Sequence, residues 1–252
     1  DAVETFLRPL LADARARRAR GEEPLFASHM FDGSSLPLAD NLRISERLLD
    51  ECAEIGVVLE VECGLVGGEE DGVGGAATYT TPADLMRVVD RLGAGERGRY
   101  LVAATIGNVH GVGAARPVRL RPEILAEGQR ALAARRPGAR FAYVFHGGSG
   151  ADPGHVAAAI ANGVVKLNVD TDAQYAFTRP VAGHMLGHYD GVLRIDGGVG
   201  DKHAYDPRVW GRLAEEGMAA AVAGACRLTG SAGRAKGGAR PTAPAAETEH
   251  HR

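Results

Sequence analysis

The chain of 252 residues is poor in cysteine and has no long apolar run, and these absences exclude several classes of protein. Its three cysteines, Cys52, Cys63 and Cys226, are odd in number and widely spaced, which argues against a disulfide framework and a zinc ribbon. This pattern fits a reducing compartment, and we predict a cytoplasmic protein. No apolar segment is long enough to span a bilayer, so no membrane partner is expected.

The chain also lacks an excess of charge of either sign. It has 29 lysines and arginines against 32 aspartates and glutamates, which gives a formal net charge of −3. Nucleic-acid partners usually meet a basic surface, so none is expected here. A polyanionic substrate would have to be held by a local positive site.

What the sequence does contain is an alternation of apolar runs and helical patterns. Predicted strands lie at residues 25–30, 57–63, 100–106, 141–145 and 164–169. Helices are predicted to begin at Thr81-Pro82, Asp152-Pro153 and Asp206-Pro207. Strands that are apolar on both faces are typical of parallel sheets covered by helices, so the fold class is α/β. Both an open doubly wound sheet and a (β/α)8 barrel fit this order.

Chemically active side chains follow one predicted strand after another. They are His29 and Asp32, Glu60 and Glu62, Asn108 and His110, His146, and Asn168 and Asp170. These side chains all stand at the carboxyl ends of strands. Barrel enzymes gather side chains from many strands at that end of the barrel, so we predict a TIM barrel. A barrel has eight strands, and with five counted we predict that the first three are missing. Residues 1–229 then form an incomplete barrel domain, and residues 230–252, nearly free of large apolar side chains, a disordered tail.

Two histidines stand at strand ends, each followed by glycine. They lie in Asn108-Val109-His110-Gly111 and in Phe145-His146-Gly147-Gly148-Ser149-Gly150. Imidazole is a preferred zinc ligand. Either histidine alone is better explained as a hydrogen-bonded side chain at the rim, but the pair beside acidic residues on adjacent strands favours a metal site.

Two glycine-rich segments are candidates for substrate contacts. The loop 147–150 offers backbone amides and the Ser149 hydroxyl to an anion, although tight turns also use glycine for steric reasons alone. The loops after the last two strands of a barrel often bind phosphate, and here these are that loop and residues 168–171. Residues 67–75 carry three acids between glycines; they form either a mobile loop with a general base or a solvated acidic turn.

Together these motifs strongly resemble the class II, zinc-dependent fructose-bisphosphate aldolases. The resemblance covers about residues 1–229. It is carried by the segments LFASHMFDGS, LEVECGLVGGEEDGV, AATIGNVHGV, YVFHGGSG, VVKLNVDTDAQYAFTRP and YDPRVW. It implies a TIM-barrel enzyme of glycolysis and gluconeogenesis that cleaves fructose 1,6-bisphosphate through a zinc-stabilised enediolate. Sugar phosphates are then the expected substrates.

The resemblance also assigns roles to individual residues. His110 and His146 match two of the family's three zinc histidines, and Glu62 and Asp32 match carboxylates at a second zinc position. Glu70 matches the mobile-loop carboxylate that moves a proton. Residues matching the dihydroxyacetone phosphate site are Gly111, Gly147, Gly148, Ser149, Asn168, Val169, Asp170 and Thr171. Backbone carbonyls near Val109, Gly111 and Gly147 resemble a sodium or potassium site.

One assignment concerns assembly, and two departures from the family pattern leave alternatives open. Arg208 resembles an arginine that reaches a phosphate in a neighbouring subunit, so a homodimer or higher homo-oligomer is expected.

The family's Asp-His pair, which supplies the third zinc ligand and an acid, is expected to be absent from this chain. Without it we expect weak metal binding and little activity from the chain alone. A family lysine in the loop after His110 is replaced, and Arg116 is the candidate to compensate. The alternatives are a tagatose-bisphosphate aldolase and a noncatalytic remnant. Lys166 is not required as a Schiff-base nucleophile.

Overall fold

The computed structural model of the chain describes residues 3–64, 67–70, 73–75, 79–110, 120–194 and 198–235. For residues 67–70, 73–75, 109 and 110 it describes the backbone path only. The predicted contacts of Gly111 and Arg116, and residues 236–252 of the predicted tail, lie outside this range.

Strands and helices alternate through most of the described chain. The strands are β1 (Ser28–Phe31), β2 (Val58–Cys63), β3 (Gly67–Glu70), β4 (Val73–Gly75), β5 (Tyr100–Ala104), β6 (Val109–His110), β7 (Tyr143–Phe145) and β8 (Val164–Leu167). A π-helical turn (Val3–Leu7) precedes the helices α1 (Arg8–Ala19), α2 (Leu38–Ile55), α3 (Pro82–Leu92), α4 (Glu123–Arg135), α5 (Pro153–Ala161), α6 (Thr171–Gly187), α7 (Tyr189–Val192), α8 (Lys202–Tyr205) and α9 (Pro207–Leu228).

The main sheet has five strands in the order β1-β2-β5-β7-β8, and every pairing is parallel. The prediction of a parallel α/β sheet is confirmed. Its strand order follows the chain order without reversal, whereas a doubly wound sheet reverses at a switch point. The sheet is therefore singly wound, as in a barrel, and the doubly wound alternative is wrong for the described strands.

Strand β2 shows how the sequence divides the core from the site. Leu59 and Val61 are fully buried in the apolar core. Because successive side chains point to opposite faces, Glu60 and Glu62 share the other face of the sheet. Both are also buried, so this strand carries two carboxylates into the interior.

Helix boundaries agree with the capping residues. Thr81 begins α3 with a reciprocal capping box, in which its hydroxyl accepts from the Asp84 amide and the Asp84 carboxylate accepts from the Thr81 amide. Asp152 and Asp206 cap α5 and α9 through their carboxylates. The three predicted helix starts are confirmed.

A second, small sheet was not predicted. Strand β3 pairs antiparallel with β4 and parallel with β6, giving the order β4-β3-β6. The segment 67–75, predicted as a loop, thus contains two short strands. The prediction failed because this run of glycines and acids has a single β-branched residue, Val73, whereas strands are usually rich in such residues.

The last four helices form a less buried part of the molecule. Helices α6 and α9 pack against each other, yet no described residue of α6 is buried, and in α9 only Ala214 is. Tyr175 and Phe177 of α6 and Val222 of α9 are exposed. No helix in the described part of the chain has the length and apolar character needed to cross a membrane.

Candidate active site

His146 lies at the centre of a buried polar cluster at the carboxyl end of the main sheet. Its Nε2 atom is 2.9 Å from Oε1 of Glu60 and 3.7 Å from Oε1 of Glu62. All three residues are buried. The imidazole thus faces two carboxylates from β2 that the protein withholds from solvent.

Lys166 completes one side of this cluster. Its Nζ atom is 2.5 Å from Oε2 of Glu60, although β8 lies three positions from β2 in the sheet. In a flat sheet, strands three positions apart are separated by roughly 14 Å. The contact therefore indicates a strongly curved sheet with these side chains on its concave face, as the interior of a barrel requires.

Opposing effects set the charge of Glu60. Burial alone would raise the pKa of Glu60, but hydrogen bonds from His146 and Lys166, with their positive charges, hold that pKa below its ordinary value. For His146 the directions are reversed. Burial alone would lower the pKa of His146, but the hydrogen bond to Glu60 and the charges of Glu62 and Glu60 outweigh burial, so this pKa is raised. These contacts favour the ionised form of the Glu60 carboxylate.

Glu62 faces a different partner. Burial and the nearby charge of Asp32 raise the pKa of Glu62 from 4.5 to about 7. Partial burial would raise the pKa of Asp32. Ser34 donates to its carboxylate through the hydroxyl and the amide, at 2.6 and 2.9 Å, and the net pKa of Asp32 is lowered. The raised pKa of Glu62 thus reflects burial beside a second acid, and a bound cation would relieve both effects.

Two asparagines fix the surroundings of His146. Asn108 donates to the backbone carbonyl of His146 at 3.0 Å and accepts from the Ile106 amide at 2.8 Å. It thereby ties the turn after β5 to the end of β7. The side-chain nitrogen of Asn168 lies 3.4 Å from Nδ1 of His146. Asn108 was read from the sequence as a strand-end residue, and its role as a tie between loops is new.

The glycine loop 147–150 meets the start of α6. An added Cβ at Gly148 would lie 2.7 Å from Leu167 Cδ1 and 3.1 Å from the Asn168 carbonyl oxygen, so only glycine lets the two loops approach. The Ser149 hydroxyl accepts from the Asp172 amide, and the Asp172 carboxylate accepts from the Gly150 amide. Sequence reasoning missed Asp172, since a single acid in a helical first turn carries no distinct signal.

The predicted phosphate-contact residues are thus brought together. Gly147, Gly148 and Ser149 lie in one loop, and Asn168, Val169, Asp170 and Thr171 lie between β8 and the first turn of α6. The Asp170 carboxylate accepts two bonds from the Gln174 side chain. Backbone amides at a helix N-terminus beside a glycine loop form a suitable site for an anion.

The backbone places the acidic segment beside His110. In the small sheet Gly68 is the register partner of His110, and Glu70 pairs with Val73. This brings the strand of Glu70 next to the strand end of His110. The side chains of Glu70 and His110 lie outside the described part of the molecule.

Arg208 is placed apart from this cluster. It lies in the first turn of α9, with its side chain 82% exposed and paired with Asp206 at 2.6 Å. The structure therefore does not bring Arg208 together with the strand-end residues of its own chain. A groove of about 680 Å³ between β8, α6 and α9 is lined mainly by apolar side chains, such as Val165 and Val222, and borders the site through Lys166.

The chemistry of the cluster fits a metal ion. One imidazole and two carboxylates are typical donors to a divalent cation, and the raised pKa of Glu62 beside Asp32 marks where positive charge is lacking. No three histidines, cysteines or acids among the described residues are arranged as a ready metal site. The predicted ligand set includes His110, whose side chain is outside that range.

Comparison with known proteins gives one consistent family. The model of fructose-bisphosphate aldolase class-II matches residues 11–234. Fructose-bisphosphate aldolase of Mycobacterium leprae is 52% identical over 241 residues, which cover 93% of this chain and 70% of the relative. That of Streptomyces galbus is 53% identical over 237 residues, with 92% and 70% covered. The crystal structure of fructose-bisphosphate aldolase from Campylobacter jejuni matches with a TM-score of 0.73 and 34% identity, covering 90% of this chain and 67% of that one.

Proposed function

The chain belongs to the class II fructose-bisphosphate aldolase family, and from this premise we propose that the His146 cluster holds the catalytic metal ion. Its function is that of a class II fructose-bisphosphate aldolase, a lyase. Such an enzyme reversibly cleaves fructose 1,6-bisphosphate to dihydroxyacetone phosphate and glyceraldehyde 3-phosphate. The observation that carries the proposal is the convergence of His146, Glu62 and Asp32 at one end of the sheet.

We propose zinc as the ion. His146 and His110 would hold it, and Glu62 and Asp32 would provide a second position beside it. When bound, the ion acts as a Lewis acid on the carbonyl group next to the bond that breaks. The buried carboxylates balance its charge, and the surrounding apolar core excludes water. A sodium or potassium ion at the nearby backbone carbonyls remains a prediction.

The substrate phosphate would bind between the glycine loop and the start of α6. Gly147, Gly148 and Ser149 offer backbone and hydroxyl donors, and Asn168 to Thr171 form the opposite wall. Asp172 holds the two loops together through Gly150 and Ser149. Gly111, outside the described range, would contribute from the third side.

Proton transfer is assigned to Glu70. Support comes from the backbone, which places β3 next to β6 and so brings the acidic segment to the same end of the molecule as His110. A carboxylate on such a segment can reach a substrate bound at the strand ends. Arg208 is proposed to act on the substrate of a neighbouring subunit, which its exposure permits and which implies a homo-oligomer.

We further propose that the five parallel strands are strands 4 to 8 of an eight-stranded barrel. The sequential strand order and the contact of Lys166 with Glu60 support a closed, curved sheet. The chain spans about 70% of the length of the relatives it matches. A cytoplasmic location is proposed on the free thiols, two of them buried.

The test is a coupled aldol-cleavage assay on metal-free protein before and after zinc is added. Fructose 1,6-bisphosphate and tagatose 1,6-bisphosphate are compared as substrates. Cleavage that appears with zinc and prefers fructose 1,6-bisphosphate supports the proposal, and preference for the tagatose compound would correct the substrate. Folded protein that binds zinc and dihydroxyacetone phosphate without cleaving either compound would favour the noncatalytic alternative.

A further inference from the structure

Glu60 is placed differently from the proposed ligands, because its carboxylate contacts two donors rather than another acid. Only 1% of its side chain is exposed. One oxygen lies 2.9 Å from His146 Nε2 and the other 2.5 Å from Lys166 Nζ. The three side chains come from β2, from the end of β7 and from β8, so they link separate strands across the concave face.

Donor and acceptor chemistry fixes the protons in this chain of contacts. An ammonium group has only donors, so Lys166 donates to Glu60. Both carboxylate oxygens act as acceptors in this ion pair, so the hydrogen bond between Glu60 Oε1 and His146 Nε2 is donated by Nε2.

A second contact leads independently to the same tautomer. The side-chain nitrogen of Asn168, 3.4 Å from Nδ1 of His146, can only donate. Nδ1 must therefore be the acceptor, with its lone pair directed toward Asn168. Two residues on opposite sides of the ring thus select one tautomer of the neutral imidazole.

We propose that Glu60, held by Lys166, is a positioning residue that keeps His146 in the Nε2–H tautomer, so that the Nδ1 lone pair, which faces Asn168 in the metal-free protein, can bind a metal ion in place of that contact. A carboxylate that accepts the second ring proton of a ligating histidine orients the ring and raises its basicity. This inference rests on the proposed metal site, and it assigns Lys166 a role as the anchor of Glu60.

Glu60→Gln provides the sharpest test, because it keeps the shape of the side chain. Lys166 can only donate, so the new amide oxygen must face Lys166 and the amide NH2 group must face His146. Nε2 must then accept, which selects the Nδ1–H tautomer, with the Asn168 amide turned so that its oxygen accepts from Nδ1. Adding Lys166→Met removes that constraint, lets the amide turn, and restores the Nε2–H tautomer.

The tautomer is read directly from long-range ¹H–¹⁵N spectra of the His146 ring in metal-free protein, at a pH where the ring is neutral. We expect Nε2–H in the wild type, Nδ1–H in Glu60→Gln and Nε2–H again in the double variant. Glu215→Gln, an exposed change on α9, is the control and should match the wild type. Nδ1–H in the wild type, or no change in Glu60→Gln, would overturn the inference.

The second readout is metal binding. Zinc affinity from competition with a chromogenic chelator should fall by about 10- to 100-fold in Glu60→Gln, the range for partners of ligating histidines. With ¹¹³Cd bound, coupling to Hε1 but not Hδ2 of His146 identifies Nδ1 as the ligand, and coupling to both would contradict the inference.

Failure of the wild type to bind any metal would instead refute the proposed function, while the tautomer measurement would still decide the role of Glu60. Circular dichroism confirms that each variant is folded.

Discussion

Two glutamates of the same strand, Glu60 and Glu62, differ in state although their settings are alike. They are two residues apart on β2, they point to the same face, and both are buried. Burial raises the pKa of each, yet the net pKa of Glu60 falls below its ordinary value whereas that of Glu62 rises to about 7. The difference comes from the partners, since Glu60 meets Lys166 and His146, and Glu62 meets Asp32.

This contrast separates two tasks within one strand. A carboxylate that already has a cationic partner in the chain is suited to hold another side chain in place. A buried carboxylate whose pKa is raised by a second acid lacks a positive partner, which a metal ion can supply. The sequence Glu60-Val61-Glu62 thus places a positioning group and a ligand side by side.

The largest effect is expected from His146→Ala, which removes the partner that both glutamates share. Loss of a ligand should exceed the 10- to 100-fold cost typical of outer contacts, so cleavage activity should fall more than about 100-fold. Activity with saturating zinc and zinc affinity are the measurements. His155→Ala on α5 is the matched control, because its ring is half-exposed. Retained zinc-dependent activity in His146→Ala would place the metal elsewhere.

Glu62→Gln should change the pH dependence of stability. A carboxyl whose folded-state pKa is raised stabilises the fold below its unfolded pKa of 4.5, and that stability is lost as pH rises through about 7. The wild type should therefore lose about 3 kcal/mol relative to Glu62→Gln between acidic and neutral pH. Urea unfolding of both metal-free proteins at about pH 5 and about pH 8 measures the difference. Parallel pH profiles would contradict the raised pKa.

Lys166→Met should make Glu60 resemble Glu62. The Glu60 carboxylate would keep only His146 as a partner, so the pKa of Glu60 should rise. Because Lys166 is 40% exposed, the loss of stability at neutral pH should be modest, about 2 kcal/mol. Urea unfolding gives this value, with Lys202→Met, on the short helix α8, as the control for loss of a lysine. Equal stability of Lys166→Met and Lys202→Met would show that the ion pair between Lys166 and Glu60 does not stabilise the fold.

Asp32→Asn should have the smallest effect and should make Glu62 more like Glu60. Removing the neighbouring negative charge lowers the pKa of Glu62, although burial, the larger cause, keeps that pKa above its ordinary value. A pH titration of the Glu62 carboxyl by ¹³C NMR in metal-free protein follows the change. An unchanged or higher pKa of Glu62 would mean that Asp32 is not the source of the repulsion.

Much of the site could be predicted from the sequence because chemistry followed each apolar run. His146, Asn168 and the glycine loop were placed at the carboxyl ends of strands, and the structure gathers them there. The partners of Glu60 could not be predicted, because β2, β7 and β8 are distant in sequence and only the curvature of the sheet joins them. Lys166 was considered only as a nucleophile, whereas the structure pairs it with Glu60.

Local patterns were sufficient for some elements and insufficient for others. Thr81-Pro82 marked the start of α3, since a capping box depends on residues three apart in the chain. The strands β3 and β4 were missed, because they consist mostly of glycines and acids and because β3 pairs with β6 through a long-range contact. The proposed role of Arg208 in a neighbouring subunit depends on assembly, which a single chain does not determine.

The most direct test of the contrast between Glu60 and Glu62 is infrared spectroscopy of the metal-free protein just below neutral pH. A protonated carboxyl has its own carbonyl stretch, which an ionised one lacks. This band should disappear in Glu62→Gln and persist in Glu60→Gln. A band that persists in Glu62→Gln and disappears in Glu60→Gln would contradict the assignment of the two glutamates.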